Sequence, residues 1–168
     1  MIRSVLVTTA VVAATIGIAD TARAATQEYQ ITAPVTVKIT AKSLKPGTAD
    51  SGGAGLAAGK NTSGLPVTVN CAVGENSIAL VGGQATNAAG SGSAQTRLPS
   101  APGGFSGNVT VTFTAADDSK PAGTYLCWVV VDPSALASGV QMPVNFVTGP
   151  ALDKKVTTAV DNWSAQAP

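Results

Sequence analysis

The chain has 168 residues, of which 11% are charged and 4% aromatic, with a formal net charge of +1 and no histidine. That length allows one domain with a real core, and the near-neutral balance leaves no electrostatic footprint for nucleic acid or an anionic membrane surface. The lack of histidine excludes Ser-His-Asp triads, Cys-His pairs and His-ligated zinc.

The N-terminus has the form of an export signal. Arg3 precedes an almost uninterrupted small-apolar run from Val5 to Ile18, and Ala22-Arg23-Ala24 supplies the small-x-small pattern that signal peptidase reads. Residues 1–24 are therefore expected to be a cleaved signal peptide, with the mature protein periplasmic, extracellular or at the cell surface. The apolar run is shorter than the roughly 20 residues of a spanning helix, so no membrane insertion is expected after cleavage. Loss of Arg3, Arg23 and Asp20 with the leader leaves basic and acidic residues equal in number.

Directly after the leader comes the cleanest alternation in the chain. Tyr29, Ile31, Ala33, Val35, Val37, Ile39 and Ala41 share one face, with Thr, Lys, Gln and Pro34 on the other. Period 2 over this length predicts a half-buried strand, with Pro34, which has no N–H to donate, marking an edge or a bulge. The plain expectation is the first strand of the domain's own sheet. The sharper one makes Tyr29, Ile31, Val35, Val37 and Ile39 a strand-exchange or partner-binding face, because strand addition seats alternate side chains in a neighbour's pockets.

Leu44 to Gly64 reads as a surface loop. Its Gly55 to Lys60 run glances at a phosphate loop, but Ala54 and Asn61 stand where that motif needs Gly and Ser or Thr. Leu65, Val67, Val69, Cys71 and Val73 then share the face of a second strand, and Ser77 to Leu80 is a short one ended by Gly82-Gly83. Gly82 to Gly107 is mostly Gly, Ser, Ala, Gln and Asn, with one possible short strand around Thr96 to Leu98; long for a loop in a compact domain, it either hides an edge strand or presents a variable surface. Asn108 to Ala115 alternates again, with Val109, Val111 and Phe113 inward. Asp117 to Pro121 is a turn, and it makes that strand the expected neighbour of the next. Ala122 to Val131 is the most apolar strand candidate: Tyr125, Cys127, Val129 and Val131 on one face, Leu126, Trp128 and Val130 on the other. A strand apolar on both faces is expected at the centre of a sheet, covered on both sides. Val140 to Phe146 reads as a last edge strand around Pro143. Beyond it, Leu152, Val156, Ala159, Val160 and Trp163 recur at helical spacing, which predicts a short amphipathic helix or a loose tail over 149–168 and leaves 25–148 as the domain.

Two cysteines in an exported chain, both on apolar strand faces, are expected to pair, so Cys71 and Cys127 should form one inter-strand disulfide. The fold class expected is all-β, a two-sheet antiparallel sandwich.

Gly123-Thr124-Tyr125-Leu126-Cys127 resembles the Gly-x-Tyr-x-Cys of immunoglobulin-type domains, and Val67 to Ala72 is similar to the strand carrying that family's first cysteine. The resemblance covers about the middle half of the chain. It implies an Ig-like sandwich, a disulfide between sheets and a tyrosine corner at Tyr125. Pro121 replaces the family's aspartate, and no tryptophan lies between the cysteines.

No catalytic motif, cofactor or metal site is expected. Ser-x-x-Lys spacing is absent after the leader, and Asp117, Asp118 and Asp132 do not follow the Asp-x-Asp-x-Asp-Gly calcium pattern. The expected function is non-enzymatic: a structural or adhesive cell-surface subunit, similar to those of bacterial fimbriae, with a protein partner or self-assembly. Chaperone-assembled pilins usually bridge two early strands, whereas here a late strand is joined. The alternative is a monomeric secreted Ig-like module that binds a protein or glycan through its loops.

Overall fold

The computed structural model describes residues 26–45, 64–116, 123–151 and 153–162. The expected leader, the loop with the phosphate-loop-like glycines, the Asp117 to Pro121 turn, Leu152 and Trp163 lie outside them. Among the described residues no helix is long and apolar enough to cross a membrane.

The chain is an all-β sandwich of two principal sheets. In the first, β1 (Thr26–Lys38) pairs antiparallel with β7 (Gly104–Ala116), and β7 also takes the two-residue β6 (Ser100–Ala101). The second has the order β5 (Gly90–Leu98), β2 (Leu65–Gly74), β8 (Thr124–Val131), β9 (Phe146–Pro150), antiparallel throughout. A separate hairpin joins β3 (Ala79–Val81) to β4 (Gln84–Thr86) through Gly82 and Gly83, whose φ of 58° and 80° suit the tight turn that only glycine enters freely. Two short C-terminal strands, β10 (Lys155–Thr157) and β11 (Val160–Asn162), complete the first sheet.

The alternation of β1 is spent inside its own chain. β1 runs in register with β7 from Thr26↔Ala116 to Lys38↔Gly104. Its other edge is taken by β10 along Gln30 to Thr32 and by β11 along Val35 to Val37, both parallel to it. Pro34 is thus neither at a sheet edge nor opposite a bulge. The ladder to the C-terminal segment is interrupted between Thr32 and Val35, where a proline without an N–H does least harm. Tyr29, Ile31, Val35, Val37 and Ile39 are all buried in the main core, and Tyr29 stacks on its register partner Phe113 with ring centroids 6.1 Å apart. Full burial of a Val or Ile contributes about 1.5–3 kcal/mol, so these five side chains anchor the sandwich.

Three expectations need correction. β7 and β8, consecutive in sequence, lie in different sheets, with β7 beside β1 and β8 between β2 and β9. The C-terminal segment is not helical: Val156 and Val160, four apart, fall on two separate strands either side of Thr158 and Ala159. The last strand candidate shifts toward the C-terminus, because Met142 to Asn145 is irregular and pairing with β8 begins only at Phe146.

Gly82 to Gly107 does hide an edge strand, β5. Its inward positions are Gly90, Gly92, Ala94, Thr96 and Leu98, small until the last because β7 crosses close beneath. A Cβ at Gly92 would lie 2.6 Å from Phe113 Cβ, and one at Gly90 2.5 Å from Ala115 Cα. Glycine is what lets the two sheets close at this edge.

Candidate functional site

β8 organises the second sheet. Its inward face, Tyr125, Cys127, Val129 and Val131, enters the main core. Its outward face is divided. Leu126 and Trp128 join Ala72 and Ile78 in a second, smaller core, roofed by Leu80 and Ala85 of the β3–β4 hairpin. Val130 is 37% exposed. The cover that the sequence required over Trp128 is therefore the chain's own hairpin.

Cys71 and Cys127 are bonded, with Cα atoms 4.2 Å apart, and sit directly opposite each other on β2 and β8. Neighbouring antiparallel strands bring opposed side chains closest at such a position. The bridge therefore ties two strands of one sheet; it does not join the two sheets, as the immunoglobulin resemblance implied. Tyr125 departs from that resemblance as well. Its hydroxyl donates to Thr158 Oγ1 at 2.8 Å, a buried bond that pins the segment between β10 and β11, in place of the upstream backbone contact of a tyrosine corner. The Tyr125 ring lies over its register partner Gly149, where a Cβ would come within 2.8 Å of it.

Two surfaces on the second sheet stand out. The first is apolar. Val130 and Val144, the latter 48% exposed, flank a groove of about 320 Å³ floored by Val129, Leu136 and Met142, and Phe146, 52% exposed, lies outside its lining as the register partner of Trp128. The second is polar, a depression of about 430 Å³ between the hairpin and β5, lined by Asn70, Gln84, Ser91, Ser93 and Trp128. Trp128 is only 5% exposed, and its Nε1 is buried without a hydrogen-bond partner.

Charge plays little part in either. Asp132 caps the short 3-10 turn Pro133–Ala135 by accepting from the Ser134 N–H at 2.8 Å. That backbone bond, with a smaller contribution from Arg97 and Lys45, holds the exposed carboxyl below its usual range. Among the described residues no three His, Cys, Asp or Glu side chains are grouped as a metal would need. Sequence reasoning reached Trp128 and the cysteines, but it missed the polar depression, whose members come from four strands and carry no motif. Comparison with family models, curated proteins and solved structures returned no match to this chain.

Proposed function

We propose that this is an exported, non-catalytic sandwich protein serving as a structural or adhesive subunit of the cell surface, of fimbrial kind. In this proposal copies meet through the exposed end of the second sheet, and β1 is not exchanged between them. The observation that carries the reading is Val130 and Val144, each more than a third exposed on one apolar groove, with the exposed Phe146 two residues along the chain from Val144. Grouped exposed apolar side chains mark contact surfaces, whereas scattered ones are ordinary. A second copy suits this surface because the chain carries almost no net charge, so self-association meets little electrostatic opposition. The pairing of β1 on both edges within one chain supports face-to-face contact over strand donation.

Sedimentation velocity of the mature chain from Ala25 across a wide concentration range tests this. Self-association that weakens in the Val144→Ser variant is expected. A wild-type chain that stays monomeric throughout, or a variant that assembles as well as wild type, would overturn the proposal.

A further inference from the structure

We infer that the polar depression beside Trp128 is a binding site for a neutral oligosaccharide. Ser93, Asn70 and Trp128 are register partners on β5, β2 and β8, so they form a single row across the outer face of the sheet. Ser91 stands one outward position along β5, and Gln84 reaches the same space from the hairpin. The volume, about 430 Å³, falls within the range of small-molecule sites.

The chemistry of the lining selects the ligand class. Asn and Gln amides and Ser hydroxyls each both donate and accept, which is what a ring of sugar hydroxyls requires. No charged side chain lines the depression, so a phosphate or carboxylate would find no cation there. An apolar ligand would leave four polar side chains without partners. A protein interface core would be apolar, and this floor is not.

The unpartnered indole is the second, independent sign. An indole N–H can only donate, and a buried donor with no acceptor is unfavourable, so a fold with no use for it would do better with another aromatic at this position. Trp128 lines the depression, and what covers it is a hairpin of three-residue strands whose Gly82 and Gly83 have open space around them. A modest shift of that hairpin would let a ligand oxygen accept from Nε1.

The ligand is a chain of sugars because the face continues. A second depression of about 560 Å³ follows the same strands past Thr68 and Gln95, one outward position further along, with the oppositely charged Arg97 and Asp132 beyond them. Ser91 to Gln95 alone spans about 14 Å of strand, longer than one sugar ring. This site would give the proposed adhesive subunit its ligand; the first depression shares no lining residue with the apolar groove, and the second shares Val130 and Pro133.

The test is an array of neutral hexose and N-acetylhexosamine oligosaccharides with sialylated and sulfated counterparts, probed with the labelled mature chain. Retention on neutral glycans is expected. Trp128→Phe, which keeps an aromatic ring and removes the N–H, and Asn70→Ala should each weaken it about tenfold or more. Asn70 is only half-buried, so that variant keeps the test valid if Trp128→Phe disturbs the fold. Val144→Ser, outside both depressions, should bind glycan normally while self-associating more weakly, so the two proposals can fail separately. Retention on none of the glycans, retention only on the anionic ones, or wild-type binding by both Trp128→Phe and Asn70→Ala would overturn the inference.

Discussion

Gly92→Ala tests the close approach of the two sheets, on which the sandwich geometry depends. The added methyl would sit 2.6 Å from Phe113 Cβ and 3.1 Å from two of its ring carbons. The nearest atom is the root of the phenylalanine, not its mobile end, so relief requires β5 and β7 to move apart. Overpacking of this kind costs about 1–3 kcal/mol. Replacing glycine offsets about 0.4–1 kcal/mol of that through the unfolded chain, which has less freedom to lose. The expected net loss is about 1–2 kcal/mol, or about 3–6 °C in Tm for a domain of this size. Urea unfolding followed by tryptophan fluorescence would read it as a lower midpoint at unchanged slope. Ser93→Ala, on the outward face of the same strand, is the control and should stay within about 0.5 kcal/mol of wild type. A Gly92→Ala protein as stable as wild type would show that the sheets do not approach at this edge.

Other parts of the fold give further expectations. Cys71→Ser and Cys127→Ser should each lose about 4 kcal/mol, the chain-entropy value for a bridge spanning 56 residues, and the two losses should agree; denaturant midpoints measured with the wild type kept oxidised check this, and mass spectrometry showing two free thiols in the protein purified without reductant would refute the bridge. Tyr125→Phe leaves Thr158 Oγ1 without its buried partner and should cost about 1–2 kcal/mol. Its specific signature is faster amide exchange at Lys155 to Asn162 than elsewhere, which a general loss of packing would not produce.

How far the fold was legible depended on which side chains face inward. β1, β2, β7 and β8 bury Val, Ile, Phe and Tyr at every second position, and their alternation marks them in the sequence. β5 obeys the same period, but its inward face opens on Gly90, Gly92 and Ala94, so the contact that makes it a strand erases the hydrophobic signal. Val156 and Val160 fit helical spacing as well as two short strands; β1's exposed edge decided between them, a long-range effect no local pattern records. The disulfide partners were legible from the expected compartment and the cysteine count, whereas their placement in one sheet was not. Asn70, Gln84, Ser91 and Ser93 come together only through strand order, since each alone is an ordinary outward polar residue.

Hydrogen–deuterium exchange of the mature chain, compared at low and high protein concentration, tests the central claim most directly. Face-to-face assembly predicts that protection rises at Val129 to Val131 and Val144 to Phe146, while Thr26 to Lys38 is equally protected at both concentrations. Protection that rises along Thr26 to Lys38 and not at Val144 to Phe146 would contradict it and make β1 the exchanged strand.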